Sequence, residues 1–273
     1  TSSKEMSKSK ISIIYAPPQE YGYGHFERCK ILFVKLSSLG YDINLSGNLF
    51  PEIDSDLTII DYRDAVVPPK LRNGKVLLID NFGPDRNIFI HHDVLPHPKL
   101  DLQDSLKNIL FPDLLNYYTE KTESNLILTY ANGRNEKESF AIDDYLYNKF
   151  GNAYEYIRIG GFEPASTNIQ LIHRLSKKEF FDYLSKCSTF CTYFGQGLME
   201  AIYLQKKILI YSISEYHTEL GKYISEKSNL PFIGSLESGL ETSFKFEMEK
   251  SSLALKNSGY KNLIRTIENI FTA

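Results

Sequence analysis

The sequence is poor in cysteine and has no long apolar run. Among its 273 residues there is no tryptophan, and there are only three cysteines, Cys29, Cys187 and Cys191. An odd number of cysteines without a second ligand pair supports neither a disulfide framework nor a zinc site, so we interpret all three as buried thiols. No run approaches the roughly 18–20 apolar residues that span a bilayer. A membrane-spanning chain is therefore not expected, and the cytoplasm is the default location.

The chain also lacks a charge imbalance. Its formal net charge is −3, and basic and acidic residues are nearly balanced in both halves. A surface that binds nucleic acid through bulk positive charge is therefore not expected. Residues 1–9 are rich in serine and lysine and have no apolar segment, so we expect a disordered tail there and not a signal peptide.

Several familiar motifs are missing as well. The sequence contains no Gly-x-Ser-x-Gly elbow, no Walker lysine loop and no complete Gly-x-Gly-x-x-Gly fingerprint. Residues 90–97 are rich in histidine, but their spacing fits no familiar zinc site. We expect neither a metal nor another cofactor, and place His92 and Asp93 at a strand end beside the ligand site.

Short apolar runs alternate with helical patterns along most of the chain. A strand is predicted over residues 10–16, followed by a glycine turn and a helix over 26–39 that ends at Gly40. Further strands are predicted at residues 41–46, 57–61, 76–80, 87–90, 125–130, 154–159, 188–193, 207–212 and 231–233. Further helices are predicted at residues 137–149, 177–186, 198–204, 215–228 and 260–271. This alternation favours parallel sheets with crossover helices.

The pattern therefore predicts an α/β protein of two facing, doubly wound, Rossmann-like domains with a cleft between them. The N-terminal domain is expected over residues 10–120. The C-terminal, nucleotide-binding domain is expected over residues 121–273, with the option that its last helix packs back on the first domain. Ligands in such folds bind at the carboxyl ends of strands, so the loops after the strands are the places to look for a site.

The segment Gly22-Tyr23-Gly24-His25-Phe26-Glu27-Arg28 follows the first predicted strand. Glycines allow close approach of the backbone, and the N-terminus of the next helix attracts an anion. The helix dipole disfavours the charged form of His25, which suits a neutral base, and Arg28 lies one turn further on. A tight turn with a capping histidine and a surface arginine is the structural alternative.

Gly-x-Gly-His-x-x-Arg after an N-terminal strand resembles the opening motif of nucleotide-sugar enzymes with the two-domain GT-B architecture. Within that group, the chain looks most like the UDP-sugar hydrolase family of the pseudaminic-acid pathway. Three later segments continue the resemblance: Ile79-Asp80-Asn81-Phe82-Gly83, Tyr130-Ala131-Asn132-Gly133-Arg134 and Gly195-Gln196-Gly197-Leu198-Met199-Glu200-Ala201. The chain departs from the family at Phe82, where the family has tyrosine, and at Asn132-Gly133, where paired glycines are expected.

The resemblance implies a reaction at the anomeric carbon of a UDP-linked, amino-deoxy sugar. Hydrolysis that releases UDP, in the biosynthesis of surface or flagellar glycans, is the favoured reaction. A GT-B glycosyltransferase that passes the sugar to an acceptor, and a non-catalytic protein that binds a nucleotide sugar or a partner, are the alternatives. The oligomeric state is not predicted.

The same resemblance supplies the expected site residues. It implies His25 and Asp80 as catalytic residues. The expected substrate-binding and nucleotide-binding residues are Gly22, Gly24, Arg28, Phe82, Asn132, Gly133, Gly195, Gly197, Glu200 and His217. Glu200 suits a ribose diol, because an ionised carboxylate accepts two hydroxyl hydrogen bonds. The alternative for Glu200 is a first-turn glutamate favoured by the helix dipole.

Overall fold

The computed structural model describes residues 9–49, 54–119, 124–131, 135–241 and 249–273. Residues 1–8 of the expected tail lie outside this range. The strands are β1 (Lys10–Tyr15), β2 (Asp42–Ser46), β3 (Leu57–Asp61), β4 (Val76–Ile79), β5 (Ile90–His92), β6 (Leu126–Tyr130), β7 (Glu155–Ile159), β8 (Ile169–Ile172), β9 (Thr189–Thr192), β10 (Lys207–Ser212), β11 (Phe232–Ser235) and β12 (Gly239–Leu240). The α-helices are α1 (Pro18–Tyr21), α2 (Gly24–Ser38), α3 (Leu102–Leu106), α4 (Glu136–Phe150), α5 (Lys177–Lys186), α6 (Gln196–Tyr203), α7 (Glu215–Ser228) and α8 (Gly259–Thr272).

The contacts divide the chain into two compact units. The first takes its residues from Thr1–Leu95, Gln103–Pro112 and Asn257–Ala273, and the second from Pro96–Leu102 and Asp113–Lys256. The sequence-based boundary between residues 120 and 121 stays a prediction. By contacts, the chain passes to the second unit after Leu95, returns to the first at Gln103 and leaves it again after Pro112. The C-terminal helix belongs to the first unit, which is the option that the sequence left open.

The first unit is a five-stranded parallel sheet in the order β2-β1-β3-β4-β5. Helix α2 buries Cys29, Leu32 and Leu36, which recur at three- and four-residue spacing and so share one face. Helix α8 buries a similar stripe, and both stripes join one core with Ile11 and Ile59 of the sheet. The stripe explains why α8 packs against a sheet, and the tertiary structure places it on the N-terminal one, more than a hundred residues away in sequence.

The second unit is a seven-stranded sheet in the order β12-β11-β10-β9-β6-β7-β8. All of its strands are parallel except the short edge strand β12, which is antiparallel to β11. The predicted fold class, α/β with two parallel sheets, is confirmed. In the described part of the chain, the helices are too short or too polar to cross a membrane.

Each sheet has one point at which the strand order reverses. In the first unit the chain leaves β1 towards β2 on one side and returns to β3 on the other, so the reversal lies between β1 and β3. In the second unit it lies between β6 and β9. Crevices at such switch points, at the carboxyl ends of the strands, are where open α/β sheets bind ligands.

One strand prediction was wrong in its bounds, and two short edge strands, β8 and β12, were not predicted. Strand β8 was not predicted, because it has four residues at a sheet edge and its Gln170 is exposed, which breaks the apolar run. The strand expected at residues 87–90 lies instead at β5, since residues 84–87 form a 3₁₀ turn that opens with Pro84.

The packing of α8 on the first sheet can be tested by Ile267→Ala. Ile267 is completely buried, so its truncation should lower the free energy of unfolding by about 2–5 kcal/mol. Arg265→Ala, on the exposed face of the same helix, should change it by less than about 0.5 kcal/mol. Chemical denaturation followed by circular dichroism measures both, and equal stabilities would contradict the placement of α8.

Candidate functional site

A cluster of charged side chains occupies the switch point of the first sheet. Strand β1 leads through α1 into α2, which carries His25 in its first turn and Arg28 at the start of its second, and strand β3 ends at Asp61. The parallel register pairs Tyr15 at the end of β1 with Asp61. Asp61 therefore lies directly beneath the start of α2, and the three side chains converge.

Asp61 is completely buried and accepts hydrogen bonds from three neighbours. Arg28 donates from Nε to Oδ2 and from Nη2 to Oδ1, both at 2.5 Å. His25 Nδ1 lies 2.8 Å from Oδ1, and the Cys29 thiol donates to Oδ2 at 3.4 Å. Burial by itself raises the pKa of Asp61, but Arg28 and His25 outweigh it and hold that pKa well below its usual range. Asp61 is therefore an ionised carboxylate.

The ionised state of Asp61 decides the tautomer of His25. An ionised carboxylate can only accept hydrogen bonds, so the 2.8 Å contact requires that Nδ1 carry the proton. A neutral imidazole protonated on Nδ1 has a lone pair on Nε2. The His25 side chain keeps 18% of its surface exposed. In its neutral form, His25 therefore has its lone pair on Nε2.

Asp80 borders the cluster in a constrained conformation. It follows β4 with φ of 48°, a left-handed value that is uncommon outside glycine. Its Oδ1 accepts hydrogen bonds from the amides of Val94 and Leu95, at 2.7 and 3.2 Å. Its Oδ2 lies 3.1 Å from Arg28 Nη2 but accepts no hydrogen bond from any residue that the structure describes. Burial raises the pKa of Asp80, as expected for a carboxyl group with one unsatisfied oxygen.

The structure places the expected loop residues in three different settings. Gly22 ends α1 with φ of 75°, the turn for which glycine is suited. Gly24 is the first residue of α2 and lies in the helix rather than in a loop. Arg28 is only 4% exposed, so it is not the surface arginine of the structural alternative. Its guanidinium is held by Asp61 and lies beside Asp80.

Phe82 lies in a loop that is fixed by its neighbours. The guanidinium of Arg86 covers the Phe82 ring at 4.4 Å and donates hydrogen bonds to both oxygens of Asp93. Asn81 ties the same loop to the segment after β3 by donating to the carbonyls of Tyr62 and Ala65. The Phe82 ring therefore packs against the cation of Arg86. Contact with a ligand stays a prediction.

The three histidines of residues 91–97 do not converge. His91 is exposed, whereas His92 is buried against Thr266 of α8, with Nδ1 3.2 Å from its hydroxyl. Burial lowers the pKa of His92 to about 4, and His97 accepts from the amide of Lys99. Among the described residues, no group of three or more His, Cys, Asp and Glu side chains is arranged to hold a metal ion.

In the second unit, Gly195 is the N-cap of α6, which follows β9 at the switch point, and Gly197 is the second residue of that helix. A Cβ added at Gly195 would meet nothing within 4 Å, and one at Gly197 would make ordinary contact with Phe180. Neither glycine is required by the packing around it. Both glycines lie at the N-terminus of α6, a setting that suits an anion.

Glu200, on α6, is completely buried and paired. Lys177 Nζ, from the first turn of α5, donates to Oε1 at 2.7 Å and to Oε2 at 3.0 Å. Gln196 Nε2 lies 3.4 Å from Oε1. The alternative of a first-turn glutamate was wrong, because Glu200 is the fifth residue of α6 and lies beyond the first turn.

His217 lies in the first turn of α7, after β10. Ser214 caps this helix by accepting from the His217 amide at 3.3 Å, and its hydroxyl lies 2.8 Å from His217 Nδ1. The ring packs edge-on against Tyr193, with centroids 5.5 Å apart. The expected residues Asn132 and Gly133 lie outside the described residues.

Sequence reasoning missed two residues of these clusters. Asp61 was assigned to a strand without a role, although an aspartate that ends an otherwise apolar strand was a signal for it. Lys177 gave no signal, because a lysine at the start of a helix is common on protein surfaces.

The role of Asp61 can be tested by Asp61→Asn. Breaking a buried ion pair should lower the free energy of unfolding by about 3 kcal/mol at pH 7. Because the pKa of Asp61 is lower in the folded protein than in the unfolded chain, its stabilisation is present above about pH 4 and is lost as the pH falls. The gap between wild type and variant should therefore narrow below about pH 4.

The control is Asp64→Asn. Asp64 is exposed and paired with Arg63, so its loss should change the free energy of unfolding by less than about 1 kcal/mol. Denaturation curves between pH 3 and pH 7 measure both variants. A gap for Asp61→Asn that stays constant over this range would contradict the ionised state of Asp61.

Comparison with known proteins adds information about the fold. The chain matches no protein-family model, and no curated protein sequence matches it. Three solved structures are similar to it: UDP-GlcNAc 2-epimerase of Methanocaldococcus jannaschii in complex with UDP-GlcNAc and UDP (TM-score 0.57, 12% identity, 95% of this chain and 99% of that chain), the calicheamicin glycosyltransferase CalG4 (0.54, 12%, 98% and 95%) and the spinosyn forosaminyltransferase SpnP (0.53, 10%, 86% and 88%). At these identities the similarity shows the fold alone, which is the GT-B type with two Rossmann-like domains.

Proposed function

We propose that this chain is an enzyme that acts on the anomeric carbon of a UDP-linked sugar, and that it hydrolyses the sugar and releases UDP. The observation that carries the proposal is the state of His25, whose Nδ1 proton is held by Asp61 at 2.8 Å. This leaves Nε2 as a base at the switch point of the sheet. The similarity to a structure that contains UDP-GlcNAc and UDP supports the choice of nucleotide.

The chemical step is a displacement by water. His25 Nε2 takes a proton from the water molecule as the water oxygen bonds to the anomeric carbon. The bond from that carbon to the diphosphate oxygen breaks, and its electron pair leaves with UDP. Asp61 stabilises the imidazolium that forms, because it stays ionised beside Nδ1. General-base assistance of this kind contributes about 10²–10⁴-fold.

In this proposal, Arg28 and Asp80 are positioning residues, which act on the reaction by holding His25 in place. Arg28 donates hydrogen bonds from Nε and Nη2 to Asp61, and its side chain is 5% exposed. We therefore assign Arg28 to positioning and not to direct binding of the diphosphate. Asp80 contacts the same guanidinium, with its Oδ2 3.1 Å from Arg28 Nη2. Together they fix the carboxylate that orients His25.

The second unit supplies the nucleotide site in this proposal. The N-terminus of α6, at Gly195 and Gly197, suits the diphosphate because the helix dipole favours an anion there. Glu200 is assigned to the ribose hydroxyls. His217 and Asn132-Gly133 complete the proposed set.

Transfer of the sugar to an acceptor is the second candidate. Two of the three similar structures described above are glycosyltransferases, and transfer would use the same base on an acceptor hydroxyl. The products separate the two reactions, since hydrolysis yields free sugar without any acceptor.

The proposal is tested by measuring UDP and free sugar released from a panel of UDP-sugars. His25→Ala should lower the rate by at least about 100-fold, because the base is lost. The control is His91→Ala, which removes an exposed histidine and should leave the rate unchanged. The thermal shift produced by UDP should persist in both variants.

Other outcomes decide between the alternatives. A His25→Ala variant with near-normal activity would contradict the role of the base. UDP release only in the presence of an acceptor would support transfer. A thermal shift with UDP but no turnover would favour a non-catalytic binding protein, and the absence of both would reject the nucleotide-sugar function.

A further inference from the structure

The pair formed by Lys177 and Glu200 has a geometry that a ribose site alone does not explain. The Glu200 side chain is 0% exposed, and the Lys177 ammonium contacts both of its oxygens at 2.7 and 3.0 Å. In this arrangement, Glu200 cannot reach a ribose hydroxyl. Lys177, by contrast, is 26% exposed, so the cation is the accessible member of the pair.

The pair cannot simply open. Removing one partner from a buried ion pair leaves an uncompensated charge, which is strongly unfavourable. A ligand that binds Glu200 must therefore offer the carboxylate new hydrogen bonds and offer the ammonium a new anion. A nucleoside diphosphate has both groups, because the ribose diol donates and the diphosphate is anionic.

We propose that Lys177 is a phosphate-binding residue of the nucleotide site, and that a nucleoside diphosphate binds by exchanging this ion pair. The ribose hydroxyls replace Lys177 on Glu200, and the Lys177 ammonium turns to the diphosphate. This inference rests on the proposed function and names a further binding residue of its site.

The side chains around Lys177 fit such an exchange. Its Nζ lies 5.5 Å from the ring centre of Phe180 and 5.6 Å from that of Phe181, so aromatic faces support the cation in its resting position. Lysine is a compact charge on a flexible stem and can change partners. Arg158, another cation of this unit, is held by Asp143 and by the carbonyls of Gly160 and Phe162.

The experiment measures binding of UDP and of uridine to Lys177→Met by calorimetry. UDP should bind about tenfold more weakly, a factor that corresponds to about 1.4 kcal/mol, because the phosphate contact is lost. Uridine, which has no phosphate, should bind no more weakly than to wild type. The control is Lys178→Met, which removes an exposed lysine paired with Asp182 and should change neither affinity.

A second comparison covers the case in which Lys177→Met leaves the buried Glu200 charge unpaired and fails to fold. Glu200→Gln and the double variant Lys177→Met with Glu200→Gln differ only at residue 177. Neither variant has a carboxylate at residue 200. UDP should bind about tenfold more weakly to the double variant than to Glu200→Gln. Equal affinities would overturn the proposal, since Lys177 would then act only by holding Glu200.

The readout separates this inference from the proposed function. Binding is measured without turnover, so a failure of the proposed hydrolysis leaves the test intact. If the wild-type protein binds UDP and the variant without Lys177 binds it equally well, the inference alone is overturned. A wild-type protein that does not bind UDP overturns both.

Discussion

The buried carboxylate of Asp61 is the interaction on which the first cluster depends. It ends an apolar strand, where desolvation opposes a charge, and remains ionised because Arg28 and His25 both donate to it. Arginine suits this role because its planar fork meets a carboxylate with two parallel hydrogen bonds and cannot lose its proton. The same carboxylate fixes the proton of His25 on Nδ1. The ion pair with Arg28 and the tautomer of His25 therefore depend on one side chain.

The second unit has a buried ion pair with a different character. Arg28 is locked by a two-point contact at 2.5 Å and is almost completely buried, whereas Lys177 holds Glu200 through one flexible ammonium that remains partly exposed. The first pair is suited to hold a base in place. The second is suited to exchange partners. Both pairs lie near a point where the strand order reverses, which is where a doubly wound sheet leaves room for a ligand.

Most of the fold could be predicted because its strands are buried on both faces. Residues 57–61, for example, are all buried, and such short apolar runs between helical patterns are typical of parallel sheets. The strand that was not predicted, β8, is instead exposed in part. Strand β8 lies at a sheet edge and includes an exposed glutamine, so its pattern is weak. The sequence does not decide on which sheet α8 packs, because an amphipathic stripe indicates only that a helix packs against another element.

The sequence by itself determined the α/β class, the position of His25 at the start of a helix and the spacing that places Arg28 one turn later. These depend on local periodicity and on chain neighbours. Only the tertiary structure decided which carboxylates these residues meet. Asp61 is 36 residues from His25, and Lys177 is 23 residues from Glu200. Parallel pairing of β1 with β3 brings Asp61 to His25, and the packing of α5 beside α6 brings Lys177 to Glu200, so neither partner is visible in local sequence.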